Sequence, residues 1–424
     1  MVSDAPVSVP GSPIVPEALA EPTRRVRSPW VTSVVAVNWG INLAFFAPLN
    51  VLIGLQATAI DEANKEAILS LVTAFGAFVA LFANPLAGAL SDRTTSRFGR
   101  RRPWVLGGAL VAVVALLLMA GAPSVAMMVV AWCVLQAGAN GIYASIFAAI
   151  PDRVPIEQRG VVGGFAAMGQ TLGILTGAII GFIINGNVPL GYWICAALIA
   201  LSVILYLFIG DDPVLPRSYV APWNWGKFFA GFWISPRKHP DFAWAWITRF
   251  LMFVGNQLTI VYLLFFLTDV LHHPDPAGGV LVLTGVYAVM TIATTVFAGR
   301  WSDKVGKRRV FVAGSSGLIA VAALIMAFAP VFPAAVVGAA VLGAGFGAYL
   351  TVDFALLTQV LPSSSDRGKD LGVVNIAAAL PQVVAPTLAL IAVTMLGGYR
   401  TMFIMAAVIG LLAAVLVYRI KSVP

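Results

Sequence analysis

The sequence predicts an all-α membrane protein, twelve transmembrane helices in two pseudo-symmetric six-helix halves. Three observations carry that prediction. Of the 424 residues 60% are hydrophobic and only 10% charged, with a mean hydropathy of +0.92, which is more apolar surface than a globular packing can hide from water. Apolar runs recur at 30–56, 66–90, 103–121, 125–150, 160–185, 190–210, 242–269, 278–299, 309–329, 333–360, 370–396 and 399–419. Each is close to the ~20 residues a helix needs to cross a bilayer. Finally, the stretch GALSDRTTSRFGRRRPW at 88–104 returns as GRWSDKVGKRR at 299–309, Asp303 lying 211 residues after Asp92, which marks two equivalent halves.

In chain order, residues 1–29 hold six prolines among small polar residues and end in Arg24, Arg25 and Arg27, the composition of a disordered cytoplasmic tail. The twin arginine precedes a run of spanning length, not a short apolar core with a cleavage site, so it reads as an anchor flank. Residues 30–210 form the first six spans. In span 5, Gly169, Gly173, Gly177 and Gly181 recur every four residues and form a smooth stripe for close helix packing. The linker 211–241 contains WNWGKFFAGFWISPRK; indoles and lysine at this density fit either a segment lying in the headgroup layer or an unstructured connection. Residues 242–419 supply the other six spans and 420–424 a short tail. Arg159-Gly160 before span 5 is matched by Arg367-Gly368 before span 11, a second trace of the duplication.

Charge fixes the threading. Arg93, Arg97, Arg100, Arg101 and Arg102 would each cost roughly 2.5–3.5 kcal/mol at a bilayer centre, so their loop lies outside the hydrocarbon, on the cytoplasmic side by the positive-inside rule. With that start, 23 of the 26 lysines and arginines fall in cytoplasmic segments. Lys65 and Arg400 fall outside, and Arg249 lies within a span. The reading is a multi-pass protein of the cell membrane with both termini cytoplasmic. The net charge of +8 is therefore topological and does not point to nucleic acid. Cys133 and Cys195 lie in apolar runs, as packing residues without metal-ligand spacing. HExxH, CxxC, GxSxG and phosphate-loop motifs are absent, so no enzyme, cofactor or metal is indicated. GAGFGA at 343–348 sits inside a long apolar run with no preceding strand and reads as close helix packing.

The shorter basic loop, Gly299, Asp303, Lys304, Gly306 and Lys307-Arg308-Arg309, resembles the loop motif of the major facilitator superfamily of transporters. The longer one resembles the form found in glycoside-pentoside-hexuronide cation symporters and plant sucrose proton symporters. Trp39, Asn42, Leu43 and Pro48 in span 1 are similar to the tryptophan, amide, leucine and proline series of the sucrose symporters. In span 11, Leu371-Gly372-Val373-Val374-Asn375 and Pro381-Gln382 are similar to their leucine-glycine-x-leucine-asparagine and proline-glutamine pattern. The resemblance covers essentially 30–419 and implies the major facilitator fold, with spans 1, 4, 7 and 10 around a central cavity.

Polar groups are expensive inside a span and usually face a cavity or a partner. Span 1 carries Asn38 and Asn42 four residues apart. Span 4 carries Gln136, Asn140, Tyr143 and Phe147 as one stripe. Span 7 has Asn256 and Gln257, span 10 Tyr349, and span 11 Asn375 and Gln382. Amides can bond vicinal hydroxyls and aromatic faces can cover a pyranose, so these ten residues, Phe147 apart, are candidate substrate ligands; each amide can equally bridge two helices. Arg249 and Asp353 lie about 7 residues inside the cytoplasmic ends of spans 7 and 10, roughly 10 Å deep at 1.5 Å per residue, within reach of each other. An acid beside an arginine stays ionised until the pairing changes, which suits proton coupling and equally a permanent bridge. Gly88, Asp92, Arg93, Arg97, Arg100, Gly299, Asp303 and Lys304 are the candidate gating residues, with Asp92 and Asp303 pairing to bases or helix N-termini in an outward-open state.

The pattern also departs from those families. Where the sucrose symporters hold an aspartate and an arginine in span 4, this chain has Gln136 and Phe147. Span 2 has no acid beyond its first residue, Glu66, which argues against a sodium site of the melibiose-permease kind. Span 5 lacks the proline typical of drug antiporters. The expected function is alternating-access transport, foremost proton-coupled uptake of a sugar or glycoside, with export of a small amphipathic metabolite or drug by proton antiport, or uncoupled sugar facilitation, as alternatives. The expected partners are that small molecule, protons and the lipid bilayer, with no obligate protein partner.

Overall fold

The computed structural model describes residues 22–209, 212–220, 222–230, 235–305, 307–360 and 367–422, together with Pro16, Ala18 and Ala20. Among these, twelve helices are long and apolar enough to cross a membrane. They are α1 (Ser28–Ile60), α2 (Lys65–Asp92), α3 (Arg102–Ala120), α4 (Val125–Arg153), α5 (Ile156–Ile183), α6 (Val188–Ile209), α7 (Pro240–Asp269), α8 (Pro276–Val305), α9 (Arg308–Ala327), α10 (Phe332–Val360), α11 (Arg367–Met395) and α12 (Tyr399–Leu416). Hydrocarbon offers no partner for a backbone N–H or C=O, so a spanning segment must satisfy its own, and the helix is the element that does so. Prolines in the first turns of α1, α3 and α7 start helices where their missing N–H is not needed. Ser124 starts α4 by accepting from the Met127 N–H.

The expected boundaries fall short at several ends. α2 continues through Ser91 and Asp92, and α8 runs on to Val305, so both basic loops are shorter than the sequence motif. An apolar run marks the hydrocarbon, and a helix that leaves it can continue on its own hydrogen bonds.

The packing repeats with a period of six helices. In the first half α1 packs on α5 and α6, α4 on α2 and α3, and α3 on α6; in the second α7 packs on α11 and α12, α10 on α8 and α9, and α9 on α12. The halves meet along two seams, α2 with α11 and α5 with α8, which exchange under the same shift of six. Both chain ends reach one face, here the terminal face, since Val26 bonds Gln158 and the Ile420 carbonyl accepts from Arg309. Large side chains such as Phe78, Leu110, Phe208, Phe297 and Met395 stand exposed on the outside of the bundle, as a lipid-facing surface requires.

The leading helix of each half is irregular at a similar depth. α1 passes through one π-helical turn at Pro48–Leu52, where proline removes a backbone donor, and α7 breaks at Val261 and Tyr262. The glycine stripe of α5 packs onto α1: a methyl at Gly173 would lie 2.5 Å from the Trp39 carbonyl oxygen, and one at Gly177 2.8 Å from the Ala47 nitrogen. The linker forms a short helix, Trp225–Ala230, within a cluster of Trp223, Trp225, Phe228 and Phe229, and Arg93 lies 5.4 Å over the Trp223 ring.

Candidate functional site

Three polar assemblies stand out, and the first is inside the second half. Residues 249, 253 and 256 share one face of α7, and 346, 349 and 353 one face of α10. Across the gap Arg249 Nη1 meets Asp353 Oδ2, while the Tyr349 hydroxyl donates to Asp353 Oδ1 at 2.6 Å. Asp353 is only 4% exposed, so both oxygens of a buried carboxylate are committed, one to a cation and one to a phenol. The Arg249 guanidinium lies 5.0 Å over the Phe253 ring, and its Nε is buried without a partner among the described residues. Aromatic rings continue outward, Phe253 against Phe346 at 5.6 Å and Phe346 against Tyr287 of α8 at 6.1 Å. The Tyr287 hydroxyl reaches Asn256 Oδ1 at 3.4 Å. Burying one charge of such a pair alone costs about 3–5 kcal/mol, so the two side chains act as a unit.

In the first half the candidate ligands divide. Asn38 and Asn42 are buried in the seam between α1 and the glycine stripe of α5, with their amides donating to Val34 and Asn38 carbonyls of their own helix. Trp39 crosses the same seam to Thr176 at 3.0 Å. Gln136 and Asn140 instead join α2: Asn140 Nδ2 donates to the Gln136 carbonyl and side-chain oxygens, and Asn84 Nδ2 donates to Asn140 Oδ1 at 3.3 Å. Tyr143 is half-buried with its ring 4.5 Å from Phe147. Gln257 is half-buried and Gln382 exposed on α11. The side chains of Asn375 and Asp303, and Gly299, lie outside the described residues. Among those described, no hydrogen bond joins the first-half amides to the Arg249 cluster.

The second assembly is a charged knot on the terminal face. Arg101, 2% exposed, donates to Asp152 at 2.8 Å, to Asp92 at 2.5 Å and to Ser91 at 2.8 Å. Arg100 adds Asp152 at 3.3 Å, Asp92 at 3.5 Å and the Ala18 carbonyl at 2.7 Å. Asp212, from the start of the linker, accepts the Arg101 and Arg102 N–H groups at 2.6 and 2.9 Å, satisfying orphan donors at the N-terminus of α3. None of these bonds reaches the second half. Asp92 therefore meets its bases inside one six-helix unit in this state. Arg97 lies over Phe98, a methyl at Gly88 would find ordinary contact with Ala144, and Lys304 is exposed.

The third assembly joins the halves at the opposite face. Lys65 Nζ bonds Asp269 Oδ1 at 2.6 Å and lies 5.2 Å over the Phe265 ring. The Tyr399 hydroxyl sits 2.7 Å from Asp269 Oδ2 and 2.9 Å from Glu66 Oε1, and the Tyr262 hydroxyl donates to the Glu66 carbonyl at 2.9 Å. This latch ties the start of α2 to the end of α7 and the start of α12. It lies beside the contact of the π-helical turn of α1 with the last turns of α7.

Sequence reasoning missed Asn84, Asp152, Asp212, Tyr287 and the latch residues as site members. Asn84, an amide before Pro85 in mid-span, carried a usable signal. Tyr287 lies inside α8, where a single phenol does not stand out among apolar neighbours, and the others sit at or near span ends, where polar residues are ordinary.

The family model of the Major Facilitator Superfamily matches residues 30–285 and 277–424. The general alpha-glucoside permease of Schizosaccharomyces pombe is 27% identical over 172 residues, 37% of this chain and 29% of the permease, so the chain spans under a third of that relative. The sucrose transport protein SUC4 of Arabidopsis thaliana is 22% identical over 443 residues, covering 88% of this chain and 85% of that protein. Among solved structures, a POT family transporter in complex with 5-aminolevulinic acid superposes with a TM-score of 0.74 at 12% identity, covering 92% of this chain and 95% of that one. A likeness at that identity concerns the fold.

Proposed function

On the premise that this chain belongs to the Major Facilitator Superfamily and is a multi-pass transporter of that type, we propose that it takes up a sugar or glycoside together with a proton. The observation that carries the coupling is the Arg249–Asp353–Tyr349 unit. Protonation of Asp353 would remove the charge that holds Arg249 and leave the guanidinium to seek another partner, so one proton moves two side chains on two helices. Substrate hydroxyls would find Asn256, Gln257 and the Tyr287 hydroxyl close to that unit, and Phe253, Phe346 and Tyr287 offer ring faces to a pyranose. A glucoside permease and a sucrose transporter among the relatives support this substrate class.

Access alternates between the faces. The Lys65–Asp269 latch closes the face opposite the termini, so this state leads the substrate toward the terminal face. The positive-inside rule applied to the basic loops supports a cytoplasmic position for that face in a cell membrane, which would make this state inward-facing. Asp92, Arg93, Arg97 and Arg100, with Asp303 and Lys304 in the second half, would hold the terminal face through the other half of the cycle.

The test is uptake of a labelled disaccharide panel into proteoliposomes with an imposed inward proton gradient, with and without protonophore. Accumulation that protonophore abolishes is the expected result. Equilibration without accumulation would make the protein a facilitator and the Arg249–Asp353 pair a structural bridge. Export against the gradient would replace symport by antiport.

A further inference from the structure

We propose that the terminal face carries a binding site for the phosphate-bearing headgroup of an anionic lipid, between the N-terminal strap and the ends of α4 and α6. The strap consists of Ala18, Ala20 and residues 22–27, and it is held at Ala18 and at Val26. Arg100 Nη1 donates to the Ala18 carbonyl at 2.7 Å, and Val26 and Gln158 exchange two hydrogen bonds at 3.0 and 3.2 Å. Under it lies a cavity of about 910 Å3. Arg24, Arg25 and Arg27 line it from the strap, Arg153 from the last turn of α4, and Trp30 and Ile209 from the membrane side.

Charge decides what such a cavity takes. Asp152 is the carboxylate on its wall, and its oxygen is already held by Arg100 and Arg101 at 3.3 and 2.8 Å. Arg24, Arg25 and Arg27 are exposed and make no ion pair among the described residues. Guanidinium groups present planar, fixed donors that match phosphate oxygens two at a time, so three arginines lining one space fit a phosphate ester better than a carboxylate or a neutral solute.

Position selects the lipid over a soluble phosphate. The cavity lies where α1 and α6 leave the apolar part of the bundle, with an indole at its edge and Phe208, 84% exposed, just inside it. A headgroup in the cavity would leave its acyl chains along the outward side chains of α6. Basic clusters next to a span are where anionic headgroups collect. Occupancy would tie the strap to the end of α4 and so brace Asp152, the acid that holds both knot arginines.

The experiment uses the full-length protein in mild detergent. Native mass spectrometry and thermal unfolding are read with phosphatidylglycerol, with phosphatidylcholine and with inorganic phosphate, for wild type and for the Arg24→Gln/Arg25→Gln/Arg27→Gln variant. The expected result is a preference for phosphatidylglycerol of roughly tenfold or more that the variant loses, with unchanged unfolding in phosphatidylcholine. If that variant does not fold, Arg24→Gln/Arg25→Gln is read the same way. A variant that keeps the preference overturns the site. Equal stabilisation of wild type by inorganic phosphate and by phosphatidylglycerol overturns the lipid as its occupant.

Discussion

Tyr349 donates its hydroxyl to one oxygen of Asp353 at 2.6 Å, from one turn earlier on the same helix, and leaves the other oxygen to Arg249 of α7. The carboxylate is thus held by its own helix and by a neighbour. Motion of α7 against α10 changes one bond and spares the other.

Asp353→Asn should therefore separate coupling from binding. The amide keeps the size of the group and the Tyr349 contact but carries no charge and takes up no proton. Gradient-driven accumulation is expected to fall to the equilibration level while exchange at equal concentrations persists, measured in proteoliposomes. Asp353→Ala strands Arg249 and should lower stability by about 3–5 kcal/mol, and the double change Arg249→Met/Asp353→Leu should recover most of that loss without recovering accumulation. Thermal unfolding beside transport reads both. Accumulation retained by Asp353→Asn would assign the pair to structure alone.

The latch at the opposite face makes a second prediction. Lys65 meets Asp269 at 2.6 Å and Tyr399 meets Glu66 at 2.9 Å, two contacts that exist only when the halves meet there. A hydrogen bond to a charged group contributes about 1.5–3 kcal/mol, and 1.4 kcal/mol is a factor of ten in an equilibrium. Tyr399→Phe or Lys65→Met should shift the population toward the state open on that face by about tenfold or more. Distances between spin labels across the face, or thiol accessibility of a cysteine placed behind the latch, report the shift. An unchanged distribution would remove the latch from the cycle.

How far the sequence reached follows from what a bilayer forbids. Twelve helices and two halves were legible because hydrocarbon leaves one secondary structure available and because the basic loop recurs. Arg249 and Asp353 were legible because a charge inside a span is expensive enough to demand a partner. The same rule flagged Asn38 and Asn42, but an amide that donates to its own helix serves a seam as well as a cavity, and nothing local separates the two. In the knot only the pairing of Asp92 with the loop arginines was legible; Asp152, Asp212 and the latch were not. Asp212 meets Arg101 across 111 residues, Lys65 meets Asp269 across 204 and Tyr399 meets Glu66 across 333. Polar residues at the ends of spans are the rule, so only the fold distinguishes these from their neighbours.

Within the knot the two acids should differ. Asp152 is 24% exposed and Asp92 58%, while Arg101 between them is 2% exposed. Asp152→Asn leaves a buried guanidinium short of its deeper partner and should destabilise by several kcal/mol, whereas Asp92→Asn removes an exposed pair of about 0–1 kcal/mol. Asp92→Asn is expected to slow the transport cycle with little change in substrate affinity, and Asp152→Asn to reduce the amount of folded protein. Midpoints of thermal unfolding and initial transport rates, taken together, test the ranking; a reversed order would mean that Asp92 carries the knot.

Gly99 supports the same knot through its backbone. It has φ of +97°, and a methyl there would lie 2.3 Å from the Asp212 carboxyl that accepts the first N–H groups of α3. Gly99→Ala should cost about 1–3 kcal/mol for the conformation alone and displace Asp212 as well. Asp212→Ala, which loses the carboxylate without the strain, should lower the unfolding midpoint by less. Equal losses would place the whole effect in the lost carboxylate.

The glycine stripe of α5 gives the sharpest contrast, because one helix holds both the test and its control. A methyl at Gly173 would lie 2.5 Å from the Trp39 carbonyl oxygen and 2.8 Å from Asn42 Cβ, while one at Gly163 meets nothing within 4 Å. Alanine is the better helix former by about 0.8–1.0 kcal/mol, so Gly163→Ala should be neutral or stabilising. At Gly173 that gain is outweighed, since forcing atoms into a packed seam costs about 1–3 kcal/mol, and the backbone of α1 has to move away. Gly173→Ala should therefore lower the thermal midpoint, and Gly173→Leu should prevent folding. Because the α5 seam seats Asn38 and Asn42, separating the helices would also expose both amides. Tolerance of alanine at Gly173 equal to that at Gly163 would show that α1 and α5 are not held at this distance.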